Sequence, residues 1–384
     1  NCGINLFKIS DPKLINSAKT QNRTFDTTKI VRQRPITETK IIKHWDNLLN
    51  NEHVNFSKTM IMNSGAMVNE CCILGIHQTG YKSAYIQSNW YYENMESIKL
   101  NYDCLTDERR CHAFFVGLEP TNYFNIENNN LDMNAKDTIE SAIVTSISNP
   151  NESFILVIDC TVNPLFKINS AIPSNLLIVK TISVTKHQDG DRRLFFGVCK
   201  VIGDNKQLLE LLYGAILNFK QLTGAGVSKM AVQYFPLPSL GDLKTRIKTC
   251  TEVNKAVAQF CNRNETGWEV KPFTFHSFII LSTGVKRAIL EAVHGLTQEE
   301  LTKKTELWNK NLMDIVVNYT LSAKFNSIFE VGDSFGLNIS RINIQGDNYT
   351  FCNGKQTRIK LPRICFGYET DIESAVLFTK GLIE

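Results

Sequence analysis

Five short apolar runs, separated by polar or glycine-containing segments, constrain the fold of this chain more than any other feature of its sequence. The runs occupy residues 84–87, 113–116, 154–158, 176–179 and 194–201. Helical patterns lie between and after them. Apolar runs of this length, alternating with helices, are typical of parallel strands that helices cover on both faces. The sequence therefore predicts an α/β protein with a largely parallel sheet.

Three helical segments and one capping motif support this prediction. Residues 59–80 read as a turn followed by a helix. A second helix is predicted after Asp204, because its leucines form a broad apolar face, and a third begins near Gly241. The segment Thr297-Gln-Glu-Glu300 resembles a capping box, which predicts another helix start.

The chain divides into three predicted parts. Residues 1–55 are polar with scattered charge, and we expect an N-terminal arm that contacts a neighbouring subunit; a tail without a partner is the alternative. Residues 56–250 carry the alternation of strands and helices and form the large domain. Residues 251–384 form a smaller α+β domain, because the pattern shifts toward strands and amphipathic helices near Phe275.

Charge, hydropathy and cysteine usage exclude several classes of protein. Lys and Arg number 42 against 38 Asp and Glu, without long basic runs, so no nucleic-acid partner is indicated. No apolar run reaches about 18 residues, so no membrane-spanning helix is expected. The eleven cysteines lack metal-ligand spacing, which indicates buried free thiols, no metal and a reducing, cytoplasmic compartment. The chain begins at Asn1 with neither Met nor a signal-peptide pattern, so an upstream targeting segment stays open.

The motif Ser183-Val-Thr185-Lys186 follows the end of an apolar run. In an extended chain the two hydroxyls point to the same side, where both can reach one phosphate. If that phosphate belongs to a cofactor with an aldehyde group, Lys186 would lie close enough to react with the aldehyde. A lysine in an apolar pocket has a lowered pKa and becomes nucleophilic. A solvated loop lysine is the alternative interpretation.

A second motif consists of Asp159, at the end of an apolar run, and Thr161 two positions later. An acidic side chain at the carboxyl end of a buried strand lies where α/β sheets bind ligands. There it can pair with a pyridinium nitrogen and keep the ring protonated, so that the ring accepts electrons. A helix N-cap at the strand end is the alternative.

Two further motifs offer groups for anions. Ser64-Gly65-Ala66 opens a predicted helix, and small residues there let backbone amides approach a phosphate. Arg363 begins an alternating segment near the C-terminus, where a guanidinium can bind a carboxylate through two hydrogen bonds. The alternatives are an ordinary helix start and a surface charge on an edge strand.

The order of these four motifs resembles that of the Cys/Met-metabolism family of pyridoxal-phosphate enzymes, which includes cystathionine γ-synthase and cystathionine γ-lyase. The resemblance covers residues 30–384. It implies the PLP-dependent transferase fold type I, with a mostly parallel seven-stranded sheet between helices and a smaller C-terminal α+β domain. It also implies pyridoxal 5′-phosphate as cofactor, small amino-acid substrates, and a homodimer or homotetramer.

The resemblance implies a role for each motif. Lys186 matches the lysine that binds the cofactor covalently and moves protons in catalysis. Asp159 matches the partner of the ring nitrogen, and Thr161 belongs to the same cofactor-binding motif. Arg363 matches the arginine that binds the substrate α-carboxylate. The expected phosphate-binding residues are Gly65, Ala66, Ser183 and Thr185, and Ser64 is assigned to cofactor binding beside them.

Other assignments follow from local likeness. The tyrosine that stacks on the ring falls in the segment 90–92, where Tyr92, also expected to be catalytic, is favoured over Tyr91. Asn122 matches an asparagine near the phenolic oxygen of the cofactor, although the spacing is one residue short. Residues 30–37 match a segment that reaches the phosphate of the neighbouring subunit. Its tyrosine is absent here, which leaves Arg32 or Arg34 for this role.

A distal segment bears on the reaction. Asp333 and Ser334 fall in a stretch that resembles the family's Glu-Ser-Leu-Gly segment and are assigned to substrate binding. A carboxylate at Asp333 would pair with the distal ammonium of cystathionine or cysteine, and a solvent-facing loop aspartate is the alternative. The resemblance thus favours cystathionine γ-synthase-like replacement, from O-acylhomoserine and cysteine. The alternatives are γ-lyase-like elimination, a specialised-metabolism enzyme with a vinylglycine-type intermediate, and a non-catalytic relative.

Overall fold

The protein contains two β-sheets, seen in a computed structural model that describes part of the chain. The described residues are 37–49, 54–87, 90–104, 108–118, 135–187, 195–263, 268–272, 277–282, 329–331, 340–352 and 355–383, with single positions between 297 and 319. Five of the predicted site residues lie outside these ranges, namely Arg32, Arg34, Asn122, Asp333 and Ser334. Their assignments stay predictions.

The first sheet has seven strands. They are β1 (Phe56–Met62), β2 (Ser83–Ile86), β3 (Asp103–Cys104), β4 (Ala113–Gly117), β5 (Phe154–Asp159), β6 (Leu176–Ser183) and β7 (Gly197–Gly203). Their order in the sheet is β1-β7-β6-β5-β4-β2-β3. Only β7 runs against its neighbours, β1 and β6. All five apolar runs are therefore strands, and the predicted α/β class with a mostly parallel sheet is confirmed, whereas β1 and β3 were not predicted.

Helices connect these strands. The described α-helices are α1 (Glu38–Leu48), α2 (Gly65–Gln78), α3 (Met95–Asn101), α4 (Ala135–Ser148), α5 (Lys206–Leu222), α6 (Lys229–Val232), α7 (Leu240–Arg263) and α8 (Ile372–Ile383). The three helices predicted from the sequence are confirmed as α2, α5 and α7. The capping box is confirmed too, since the Glu300 amide donates to Thr297 Oγ1 at 3.3 Å and the Glu300 carboxylate accepts from the Thr297 amide at 2.9 Å.

Helices cover both faces of the seven-stranded sheet. Successive side chains of β7 demonstrate this, because they point to opposite faces. Cys199 and Val201 face the core that contains α2 and α5. Lys200 lies between them and points to the opposite face, where α1 packs. Its Nζ lies 3.1 Å from Asp46 Oδ1 and donates to the Asp46 carbonyl oxygen at 2.9 Å. These contacts fasten α1 to the face opposite α2.

The second sheet has five strands. They are β8 (Trp268–Pro272), β9 (Ser277–Ser282), β10 (Phe329–Val331), β11 (Ser340–Cys352) and β12 (Lys355–Cys365), in the order β10-β11-β12-β9-β8. The pairs are antiparallel except β10 with β11. Helix α7 runs across residue 250, at which the sequence predicted a domain boundary; the three-part division stays a prediction.

Nine cysteines whose side chains the structure describes have free thiols, and eight of them are buried. Cys104 is the exposed one. This confirms the prediction of buried free thiols for that part of the chain. None of the helices among the described residues is both long and apolar enough to cross a membrane.

Two glycines on packed helices provide a test of how tightly α2 and α5 fit together. A Cβ at Gly75 of α2 would lie 2.8 Å from Ile216 Cγ1 and 2.9 Å from the Ile216 amide nitrogen. We expect Gly75→Ala to lower the free energy of unfolding by about 1–3 kcal/mol through overpacking. A Cβ at Gly214 of α5 would have no heavy atom within 4 Å, so Gly214→Ala should raise stability by about 0.5–1 kcal/mol. Urea unfolding measures both; equal shifts in the two variants would contradict this packing.

Candidate active site

The carboxyl ends of several strands meet at one edge of the seven-stranded sheet. Gly197, which begins β7, pairs with both Met62 at the end of β1 and Ser183 at the end of β6. Asp159, at the end of β5, pairs with Gly117 at the end of β4. Because β7 is antiparallel, it starts where its neighbours finish. The predicted motifs therefore lie at the edge where α/β sheets bind ligands.

The start of α2 packs directly onto the end of β6. Ser64 is the N-cap of α2, and its Oγ accepts a hydrogen bond from the Met67 amide at 3.1 Å. A Cβ on Gly65 would overlap the Cβ of Ser183 and lie 2.7 Å from its Oγ. The first-turn amides of Gly65 and Ala66 have no partner within the helix. Two motifs predicted to share a phosphate are thus brought together.

Gly197 completes this close approach. A Cβ at this position would lie 2.5 Å from the Ser64 carbonyl oxygen and 2.6 Å from Val68 Cγ2. Glycine at the start of β7 therefore lets the capped end of α2 lie against the sheet. Sequence reasoning did not identify this residue, because a glycine at a strand start has no distinctive neighbours.

Lys186 lies in a short 3-10 helix, Val184–His187, and is half-buried. The chain is therefore not extended through the motif, which corrects the geometry assumed for Ser183 and Thr185. Thr185 is buried, and its Oγ1 accepts from the Phe196 amide at 2.9 Å and donates to the Phe196 carbonyl at 3.4 Å. Ser183 Oγ instead lies beside the first residue of α2.

The Asp159 carboxylate is held by donors on two sides. Its Oδ1 accepts from the Thr161 amide at 2.9 Å, and its Oδ2 lies 3.5 Å from Asn69 Nδ2. Burial raises the pKa of Asp159 above its ordinary value. The Thr161 hydroxyl and amide, the Asn69 amide and the positive charge of Lys186 oppose this rise. Lys186 is thus close enough to act electrostatically on Asp159, as the predicted site requires.

Thr161 connects the ends of β5 and β6. Its Oγ1 accepts from the Ser183 amide at 2.9 Å, and its carbonyl oxygen accepts from His187 Nε2 at 2.8 Å. His187 is buried, and burial lowers its pKa from 6.5 to about 3, with the charges of Arg246 and Lys186 acting in the same direction. His187 is therefore neutral at ordinary pH, with the proton on Nε2.

The segment predicted to supply the ring-stacking tyrosine is fastened to α2. The 3-10 helix Tyr92–Asn94 follows β2, and Asn94 Nδ2 donates to Glu70 Oε2 at 2.9 Å. Ser97 Oγ donates to Glu70 Oε1 at 2.6 Å. Tyr91 is half-buried, and the Tyr92 side chain lies outside the described residues. The choice between the two tyrosines stays a prediction.

Arg363 lies on β12, where it pairs with Asn343 of β11 and Phe278 of β9. It therefore belongs to an inner strand, and not to the edge strand of the alternative interpretation. Its side chain lies outside the described residues. Two positions later, Cys365 packs in an apolar cluster with Val162, close in sequence to the Asp159–Thr161 motif. The end of β12 thus contacts the segment that follows β5.

Three residues that contact the site motifs or act on a residue that does were missed in the sequence. Asn69 contacts Asp159, and His187 contacts Thr161. Arg246 is 5% exposed and acts electrostatically on His187. Its guanidinium carbon lies 5.2 Å from the centre of the Tyr368 ring. Asn69 carried one signal, a polar residue inside an apolar helix. His187 carried another, because it directly follows the candidate lysine.

A cavity of about 510 Å³ lies at the opposite edge of the sheet, where strands begin. Its lining includes His112, whose Nδ1 is 2.9 Å from Ser83 Oγ and whose Nε2 is 2.9 Å from Glu152 Oε2. The His112 ring stacks on Phe154 at 5.5 Å. These contacts tie the starts of β2, β4 and β5 together, which gives the cluster a structural role.

Comparisons with known proteins identify the fold. No family model matches the sequence, and no curated protein matches it. The α/β fold, with its seven-stranded and mostly parallel sheet, matches structures of PLP fold type I, as the sequence resemblance implied. The crystal structure of metB from Corynebacterium glutamicum matches with a TM-score of 0.56 and 13% identity, over 90% of this chain and 84% of that one. Cystathionine gamma-lyase from yeast matches with a TM-score of 0.51, 13% identity and the same coverage. At this identity the similarity shows the fold alone.

The low pKa of His187 predicts a pH-dependent loss of stability. Below about pH 6.5 the unfolded chain binds a proton at this ring, whereas the folded protein does not until about pH 3. The stabilisation is therefore complete above pH 6.5 and declines as pH falls, by at most about 1.4 kcal/mol per pH unit. We expect His187→Gln to make unfolding less dependent on pH, measured with urea at about pH 8 and about pH 5. Parallel stability curves for the variant and the wild type would contradict this.

Proposed function

We propose that this protein is a pyridoxal 5′-phosphate enzyme that acts on sulfur amino acids or activated homoserine. The observation that supports this most is the convergence of an amine, a desolvated carboxylate and a glycine-led helix start at one edge of the sheet. Lys186 and Asp159 interact electrostatically, and Gly65 lies against the strand that leads to Lys186. The shared fold with metB and cystathionine gamma-lyase supports the same class.

The residues present suit the three polar parts of this cofactor. Its phosphate needs donors, which the amides of Gly65 and Ala66 and the hydroxyl of Ser183 supply beside the positive end of a helix dipole. Its ring nitrogen needs a carboxylate, which Asp159 supplies. Its aldehyde needs an amine, which Lys186 supplies. Because Gly65 has no side chain, the first amides of α2 can lie close to the Ser183 hydroxyl.

The chain's own groups would divide the catalytic work. When bound, pyridoxal 5′-phosphate supplies a ring that stabilises negative charge on the substrate α-carbon. Asp159 would hold a proton at the ring nitrogen, and its hydrogen bonds to Thr161 favour the ionised carboxylate that this requires. Lys186 would anchor the cofactor and then accept and return the α-proton at Nζ. Arg363 would bind the α-carboxylate of every substrate.

The reaction we favour is replacement at the γ-carbon, in which cysteine displaces the acyl group of an O-acylhomoserine to give cystathionine. Elimination in the manner of cystathionine γ-lyase is the second candidate, and the similarity to the yeast enzyme of that name supports it. The proposed pairing of Asp333 with a distal ammonium suits both reactions. Product analysis with an O-acylhomoserine, with and without cysteine, separates them.

We also propose a homodimer or homotetramer in which Arg32 or Arg34 of one protomer reaches the phosphate of its partner. The sequence match at residues 30–37 supports this. Sedimentation of an active monomer at working concentration would argue against it.

The covalent link to Lys186 is directly testable. We expect the wild-type protein reconstituted with pyridoxal 5′-phosphate to carry the cofactor on Lys186 after borohydride reduction and peptide mapping. Lys186→Ala should lose that link and reduce turnover by about 1000-fold or more, because both anchoring and proton transfer are lost. The matched control is Lys229→Ala, since Lys229 is exposed on the short helix α6 and should be dispensable. A reducible link to another lysine would refute the assignment.

Variants of Arg363 and Asp333 should differ in which substrates they affect. We expect Arg363→Ala to raise KM by about 10- to 100-fold for every amino-acid substrate, since all of them share the α-carboxylate. Asp333→Asn should raise KM about ten-fold for cystathionine or incoming cysteine alone, because cystathionine carries a second ammonium and cysteine brings its own to a site that already holds the first amino acid. One substrate panel measures both variants. Equal losses on all substrates in Asp333→Asn would indicate a structural role for that carboxylate.

A further inference from the structure

Asn69 is a buried amide on the second turn of α2, in contact with Asp159. It is 3% exposed, and its neighbours Val68, Cys72 and Ile73 are fully buried and apolar. Its Nδ2 lies 3.5 Å from Asp159 Oδ2. Within the described part of the chain, its Oδ1 has no hydrogen-bond partner. Among the described residues, the hydrogen-bonding contact of the Asn69 side chain is therefore with Asp159, in the candidate active site.

The position of Asn69 is unfavourable for stability alone. An unpartnered amide oxygen buried among apolar groups destabilises a fold, and an apolar side chain of similar volume removes that penalty. The contact with Asp159, at 3.5 Å, is too long to offset the penalty strongly. Residues that weaken the fold in this way are expected at functional positions.

The two oxygens of Asp159 are held differently. Oδ1 is fixed by the backbone amide of Thr161 at 2.9 Å, two positions along the chain. Oδ2 lies toward α2 and faces the Asn69 amide. A ring nitrogen that pairs with Asp159 needs one carboxylate oxygen held in a fixed direction. The strand end holds the first oxygen, and a side chain from the neighbouring helix lies against the second.

We propose that Asn69 is a positioning residue, whose side-chain amide orients Oδ2 of Asp159 toward the ring nitrogen of bound pyridoxal 5′-phosphate. The inference rests on the proposed function and extends it to a residue outside the sequence motifs. The amide orientation follows from charge, since an ionised carboxylate attracts the Nδ2 hydrogens and repels Oδ1. Loss of the amide would leave Asp159 with the Thr161 donors and a less polar surrounding.

The main test compares Asn69→Leu with the wild-type holoenzyme. We expect Asn69→Leu to bind pyridoxal 5′-phosphate at least about ten-fold more weakly in an absorbance titration of the apo protein. The pH at which the visible absorbance of the bound cofactor changes should also move. The apo variant should unfold at the same or a higher temperature than the wild type, because a buried unpartnered oxygen is gone. Asn69→Asp, which sets two carboxylates against each other, should bind the cofactor more weakly still.

Asn175 offers a matched control. It is also an asparagine, and its Nδ2 donates to the carbonyl oxygens of Ser146, Asn149 and Glu152 at 2.8–3.1 Å. It precedes β6, at the opposite end of the sheet from Asp159. Asn175→Ala should therefore lower the unfolding temperature and leave the cofactor affinity and the pH profile of the absorbance unchanged.

The outcomes separate this inference from the proposed function. Wild-type affinity and an unchanged pH profile in Asn69→Leu would overturn the positioning role, while the proposed function would stand. If Asn175→Ala lost as much cofactor affinity as Asn69→Leu, loss of stability alone would explain the weaker binding, and the positioning role would be overturned as well. Failure of the wild-type protein to bind pyridoxal 5′-phosphate at all would overturn the proposed function and this inference together.

Discussion

The hydrogen bonds of Thr161 are the contacts on which the candidate site depends. This residue donates to the Asp159 carboxylate through its amide, accepts from the Ser183 amide through its hydroxyl, and accepts from His187 through its carbonyl. The ends of β5 and β6 are thereby held in a fixed relation beyond the last ladder hydrogen bond. Because Lys186 lies between Ser183 and His187, both ends of its short turn are attached to the strand that carries Asp159.

Strand direction explains why the helix start belongs to the same site. Since β7 runs against β1 and β6, its first residue lies at the edge where they end, and that residue is Gly197. The absence of a side chain there lets Ser64 approach the sheet, and the absence of one at Gly65 lets α2 reach Ser183. A parallel β7 would begin at the opposite edge of the sheet, away from the start of α2. Two glycines on different elements thus define one close contact.

The sequence predicted the sheet well because buried strands need continuous apolar runs, which stand out in any composition. It missed β1 and β3 for physical reasons: the polar residues Ser57 and Lys58 interrupt the apolar pattern of β1, and β3 has two exposed residues. The motifs of the site were readable because each follows a strand end. Arg246 was not, since a contact between distant segments leaves no local pattern, and Asn69 differed from its surroundings only as a polar residue inside an apolar helix. The 3-10 turn at Val184 was missed as well, because residues 182–185 suit an extended chain equally.

The candidate site holds charges of both signs around a buried, neutral ring. Lys186 and Arg246 each lower the pKa of His187, so two cations lie near a ring that burial already keeps neutral. Asp159 offsets one of these charges, and its own pKa is restrained by Lys186 and by donors from Thr161. Keeping His187 neutral matters, because a third cation would compete with Lys186 for the carboxylate and raise the cost of burying positive charge.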